Sequence, residues 1–283
     1  MKIPTITVLI LVLATFSGKI ALHSDPAGAD VPCGSVFELK TRGDHSLKYA
    51  YGVSTNIQPQ AVVLMFSGGN GFLNLDDRGC ANKLSGNALI RNHGRLQQAG
   101  FATVLVDAPS DYQGKDGLGA FRGSIEHAED ITTIISDIRS RVSLPIYAVG
   151  HSRGSISAVN AATLTKPPNS PDGIAILSPV TLGRENAHKK WVAQTVFNLP
   201  VEQINLPLLV VAHREDKCVR TPPNLAPKIV EKAAGTKGEM IFIDGGPGSK
   251  NTGLAACNGR SPHGFVGQDT ELVSFLTEFL RGR

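Results

Sequence analysis

Ile146-Tyr147-Ala148-Val149-Gly150-His151-Ser152-Arg153-Gly154-Ser155 carries an apolar run into Gly-x-Ser-x-Gly and on into the small-residue stretch 156–162. The run reads as a buried strand and the stretch after it as a helix, so Ser152 falls on a sharp strand-to-helix turn. Glycine at both flanks suits such a turn, where a side chain would collide with neighbouring backbone. Strain there lifts the Ser152 hydroxyl clear of the sheet, as a nucleophile requires. The helix start sets the Arg153 N–H beside it, where it can stabilise a developing negative oxygen. A glycine-bounded helix cap would carry the same letters; the strand and helix on the required sides favour the nucleophile.

Outward from this turn, apolar runs of strand length recur at 61–66, 102–106, 146–149, 173–177, 208–212 and 240–243. Helical patterns lie between or after them, at about 86–99, 123–141, 153–165, 224–234 and 268–281. This alternation predicts an α/β fold with a doubly wound, mostly parallel sheet whose strands are buried on both faces. Two earlier stretches, 35–40 and 47–52, flank the polar Gly43-Asp44 and read as an antiparallel lead-in. In such sheets, ligand-facing groups gather beyond the carboxyl ends of the strands, which is where partners of Ser152 are to be sought.

A serine hydroxyl needs a positioned base, normally an imidazole oriented by a carboxylate. Of eight histidines, His263 stands in Arg260-Ser261-Pro262-His263-Gly264-Phe265 between the last strand and the final helix, and is the candidate base. His213, at the end of the 208–212 strand, is its rival. His151 adjoins the nucleophile but should point away from the Ser152 hydroxyl, and His23, His45, His93, His127 and His188 fall in lead-in, helical or cap positions. For the acid, Asp216 follows the 208–212 strand at the sheet's carboxyl edge, with Glu215 as alternate and Asp107 as a further candidate that could instead brace a loop. Ser67-Gly68-Gly69-Asn70-Gly71 follows the 61–66 strand, and the backbone N–H of Gly69 or Asn70 could complete an oxyanion hole with Arg153. No Gly-Lys-Ser/Thr follows this loop or the 245–251 loop, which removes the phosphate-loop reading.

The chain of 283 residues has no linker-like composition shift, so 30–283 reads as one domain. Met1-Lys2 and the short apolar run 6–16 read as a secretory leader, about 1–22, cleaved somewhere in 17–29; an uncleaved anchor is the alternative. The net charge is +4, of which Lys2 and Lys19 supply +2, too mild to single out a partner class. Four cysteines follow the leader with neither Cys-x-x-Cys nor His-Glu-x-x-His spacing, which favours disulfides over metal. Cys218 lies two residues after Asp216 and Cys257 six before His263. If acid and base meet, these loops meet, pairing Cys218 with Cys257 and leaving Cys33 with Cys80.

The elbow Gly150-His151-Ser152-Arg153-Gly154, the acid after a late strand, the histidine before the last helix and the order Ser…Asp…His resemble the α/β-hydrolase superfamily over roughly residues 45–283. The resemblance implies Ser152 as nucleophile, Asp216 as acid, His263 as base, and Gly69 or Asn70 with Arg153 as oxyanion donors. Ser67 stands where many esterases have histidine, and Arg153 is unusually bulky. Residues 180–206 leave space for only a minimal cap, with Tyr112, Trp191 and Phe197 as candidate lining. The function expected is an exported, periplasmic or secreted, serine hydrolase of small-molecule carboxylic esters, using no metal or organic cofactor, binding no nucleic acid and crossing no membrane after leader removal. A peptidase, a thioesterase and a non-catalytic binding protein on the same fold are the alternatives.

Overall fold

The structure, a computed structural model, describes residues 33–233 and 235–282; the expected leader lies outside the described residues. Eight strands form one sheet: β1 (Ser35–Lys40), β2 (Ser46–Gly52), β3 (Val62–Phe66), β4 (Ala102–Val106), β5 (Ile146–His151), β6 (Gly173–Leu177), β7 (Leu208–His213) and β8 (Gly238–Ile243). Their order is β1-β2-β4-β3-β5-β6-β7-β8. The lead-in is antiparallel, β2 pairing β1 and β4. All other neighbours are parallel.

Five α-helices cover the sheet: α1 (Ala88–Gln98), α2 (Ile125–Arg141), α3 (Gly154–Leu164), α4 (Pro227–Lys232) and α5 (Asp269–Leu280). Alternate residues of each central strand face opposite layers because side chains alternate along a strand. Val62, Leu64 and Phe66 pack with Ile131, Ile135, Ile156, Val159 and Ile229 of α2, α3 and α4. Val63 and Met65 pack with Leu89, Leu96, Leu272 and Leu276 of α1 and α5. β3, β4, β6 and β7 are buried throughout, hence the unbroken apolar runs that marked them in the sequence.

The elements differ from expectation mainly at their ends. β5 runs through Gly150 to His151, so the turn begins at Ser152 itself. α4 is shorter than the expected 224–234 because Pro227 lacks the N–H that a continuing helix requires; a separate 3₁₀ turn, Pro223–Leu225, precedes it. Residues 180–206 hold three 3₁₀ turns, Lys190–Ala193, Val196–Asn198 and Val201–Gln203, and no α-helix, giving a small cap.

Candidate active site

Ser152 has φ +56, in the left-handed region that L side chains rarely adopt. The flanking glycines are required by contact. A Cβ on Gly150 would lie 2.2 Å from the Gly154 carbonyl oxygen, and one on Gly154 would lie 1.9 Å from the Phe66 carbonyl oxygen. The Ser152 N–H donates to the Leu177 carbonyl at 2.9 Å, fixing the turn against β6.

His263 lies in the 3₁₀ turn Pro262–Gly264 and is buried. Its Nε2 is 3.0 Å from Ser152 Oγ and its Nδ1 is 2.9 Å from Asp216 Oδ2. Asp216 is also buried, just past β7, and its Oδ1 accepts from the Cys218 N–H at 2.8 Å. A further residue joins them: the Thr221 hydroxyl donates to Asp216 Oδ2 at 2.7 Å and lies 3.0 Å from His263 Nδ1. The buried carboxylate therefore has three hydrogen-bond partners that orient it. Nothing local in the sequence marks Thr221, whose role depends on the loop after Cys218 curling back.

The backbone of His263 is pinned separately. Its carbonyl accepts from Ser178 Oγ at 2.9 Å and from His151 Nε2–H at 3.0 Å. His151 Nδ1 accepts from Asn87 Nδ2 at 2.9 Å, while Asn87 Oδ1 caps α1 at the Leu89 N–H. His151 thus points away from the hydroxyl, as expected, yet it holds the His263 backbone in place. Burial, and then the neighbouring His263, push its pKa down to about 3. Arg91 of α1 adds a clamp on the same loop, donating to the carbonyls of Gly259 and Gly264 at 3.0 and 2.8 Å.

The other candidates lie elsewhere. His213 is wholly buried, its Nδ1 accepting from the Glu215 N–H at 3.1 Å and its Nε2–H donating to the Gly245 carbonyl at 3.0 Å. Glu215 is exposed and lines, with Lys217 and Ser249, a hollow of about 590 Å³ whose wall includes Asp216 but neither Ser152 nor His263. Asp107 accepts from the N–H groups of Leu73, Asn74, Leu75 and Ala108 and braces the loop after β3; burial raises its pKa.

Gly68 packs so tightly that a Cβ there would lie 2.9 Å from Ser152 Cβ. Gly69, at φ +60, shares with Gly68, Leu84, Asn87, Ser152 and His263 the wall of a cavity of about 280 Å³. Asn70 is not in that wall, and its Oδ1 accepts from the Phe72 N–H at 3.2 Å. The expected aromatic lining is also absent from this wall. Tyr112 stacks on Phe121 at 4.0 Å, Phe197 packs against the core, and Trp191 lies under the Arg153 guanidinium at 4.0 Å. Wholly buried Arg122 donates to the Ser67 carbonyl at 2.9 Å and Ser157 Oγ at 2.7 Å, tying the glycine loop to α3.

Two disulfides, Cys33–Cys80 and Cys218–Cys257, match the expected pairing; the second ties the Asp216 loop to the His263 loop. Asp216, Cys218 and His263 also bring three potential metal donors within 4.8 Å of one another. Cys218 Sγ is committed to the disulfide and His263 Nδ1 to Asp216, so this donor set does not suit a metal ion. Among the described residues no helix is long and apolar enough to cross a membrane.

No family model matches the chain, and no curated protein matches it in sequence. Solved structures do match. An esterase of Pyrococcus furiosus superposes with a TM-score of 0.59 at 14% identity, covering 87% of this chain and 91% of that one. An esterase of Exiguobacterium antarcticum gives 0.57 at 13% identity, covering 88% and 99%. An alpha-beta serine hydrolase homologue of Coxiella burnetii gives 0.54 at 14%, covering 86% and 95%. At these identities the likeness is one of fold: the chain has the α/β-hydrolase fold that its elbow implies.

Proposed function

We propose that this chain is an exported serine hydrolase that cleaves carboxylic esters through an acyl-enzyme on Ser152. The observation that carries the reading is the line from part-exposed Ser152 Oγ through His263 Nε2 and Nδ1 to buried Asp216 Oδ2, with contacts of 3.0 and 2.9 Å. In this reading the Nδ1 proton lies toward Asp216, so Nε2 is free to take the proton of Ser152 as Oγ attacks the ester carbon. The carbonyl oxygen becomes an oxyanion held by the N–H groups of Arg153 and Gly69. The imidazolium then protonates the leaving alkoxide, and water, activated by the same imidazole, releases the acid and restores Ser152.

The 280 Å³ cavity beside Ser152 is at the small end for ligand pockets and favours small esters. The esterases among the structural neighbours agree with ester chemistry. Two disulfides agree with export to an oxidising compartment. The test is steady-state hydrolysis of p-nitrophenyl acetate and butyrate, a matched thioester and a peptide anilide by the purified mature chain. Ester turnover that Ser152→Ala and His263→Ala each abolish supports the reading. Preferential turnover of the thioester or anilide replaces it with the thioesterase or peptidase alternative, and no turnover of any favours a binding protein.

A further inference from the structure

A third concavity, about 350 Å³, is formed where the small cap meets the loops bearing the disulfide, with Leu182, Val192, Val219 and Leu254 supplying its apolar wall. Leu182, Val219 and Leu254 are 43%, 45% and 68% exposed, three of the six large apolar side chains left open to solvent among the described residues. Such a concentration in one hollow is unusual, since isolated exposed apolar residues are ordinarily scattered. Every titratable side chain in its wall is basic: Arg184, His188, Lys189 and Arg220. Glu185, next in sequence to Arg184, is exposed but is not part of the wall.

The two arginines of the wall are left without carboxylates among the described residues. Lys189 pairs with Asp116. Among the described residues neither Arg184 nor Arg220 has a carboxylate partner; Arg220 donates only to the carbonyls of Leu182 and Gln194, at 2.7 and 2.8 Å. Arg153, the residue after the nucleophile, adds its charge nearby: burial and then Arg220 lower its pKa to about 10. Residues 254–259 join the two cavities, Leu254 walling this hollow and Cys257, Asn258 and Gly259 walling the one beside Ser152.

From this arrangement we infer that the hollow is a binding site for an amphipathic carboxylate, its alkyl chain against Leu182, Val219 and Leu254 and its anion against Arg184 and Arg220. A concave site suits one inserted chain better than a flat bilayer surface, and a guanidinium matches a carboxylate in two-pronged geometry. The choice of carboxylate over other anions rests on the proposed reaction, since ester hydrolysis releases one.

Trp191 is the sole tryptophan of the chain and lies between Lys189 and Val192 of the hollow, so its fluorescence reports occupancy. The mature protein is titrated below their micellar or solubility limits with decanoate, 1-decanol and acetate. Decanoate is expected to change Trp191 emission saturably, binding at least tenfold more tightly than decanol and a hundredfold more tightly than acetate. Arg184→Gln should weaken decanoate at least fivefold and leave decanol unchanged, while Leu254→Ser should weaken both; both residues are exposed, so the fold tolerates these changes. Decanol binding as tightly as decanoate, binding indifferent to both variants, or binding only to anionic vesicles would each overturn the proposal. Fluorophosphonate labelling of Ser152 in the same samples separates the claims: a labelled protein that ignores decanoate overturns the hollow alone. A protein that is not labelled but binds decanoate as described supports the hollow and overturns the hydrolase reading.

Discussion

Acidification to pH 5 should cost this protein about 4 kcal/mol of folding stability through two histidines it holds neutral. His127 and His151 are both buried, and burial before any other cause pushes each pKa from an ordinary 6.5 down to about 3. In the unfolded chain the same rings take up protons near pH 6.5, so between pH 6.5 and 3 the unfolded state binds more protons and stability falls as pH falls. At pH 5, about 1.5 pH units below the unfolded value, each contributes about 2 kcal/mol at 1.36 kcal/mol per unit. The carboxylates whose pKa values are lowered, Glu38, Asp116, Glu126 and Asp137, act below about 4.5 and contribute little at pH 5. Function is touched too, because a protonated His151 Nδ1 can no longer accept from Asn87, and the His151 contact to the His263 carbonyl loosens. Urea unfolding at pH 7.5 and 5.0 measures the effect. Wild type should lose about 4 kcal/mol and a folded His127→Gln, His151→Gln double variant under about 1. Wild-type stability equal at both pH values to within 1 kcal/mol would refute the reasoning.

Thr221→Val removes one of three partners of the buried carboxylate, a bond to a charged group worth about 1.5–3 kcal/mol; kcat for p-nitrophenyl acetate should fall about 10- to 100-fold with KM little changed, and Thr221→Ser should restore most of it. The Cys218→Ser, Cys257→Ser pair opens a loop spanning 39 residues and should lower stability in urea by about 4 kcal/mol and kcat with it. Opening Cys33–Cys80 the same way should lower stability with kcat unchanged in the folded protein, since that bridge holds neither Asp216 nor His263. Gly154→Ala drives a Cβ to 1.9 Å from the Phe66 carbonyl, and differential scanning fluorimetry should show a loss of at least several degrees, consistent with about 1–3 kcal/mol of overpacking.

What the sequence made legible was local or periodic. The Gly150-to-Gly154 turn announces itself because its geometry admits only glycine at two places, and the parallel strands announce themselves because burial on both faces demands unbroken apolar runs. Asp216 and His263 followed from where strands end, and the disulfide pairing followed from them. Thr221, Ser178 and Asn87 were not legible, because each reaches the His263 or His151 loop through a contact across 42, 85 or 64 positions of chain. A lone hydroxyl or amide carries no pattern. The aromatics Tyr112, Trp191 and Phe197 misled for a related reason: a large ring near a cap signals burial, and the sequence does not say against what. α4 is shorter than its apolar spacing suggests because Pro227 can only begin a helix, not continue one.

Whether Ser152 is an activated nucleophile is decided by incubating the purified protein with a fluorophosphonate and locating the label by peptide mass spectrometry. Stoichiometric labelling is expected at Ser152, abolished by Ser152→Ala and slowed by orders of magnitude by His263→Ala. A folded protein left unlabelled, or labelled at Ser152 at the same rate without His263, would contradict the serine-hydrolase reading.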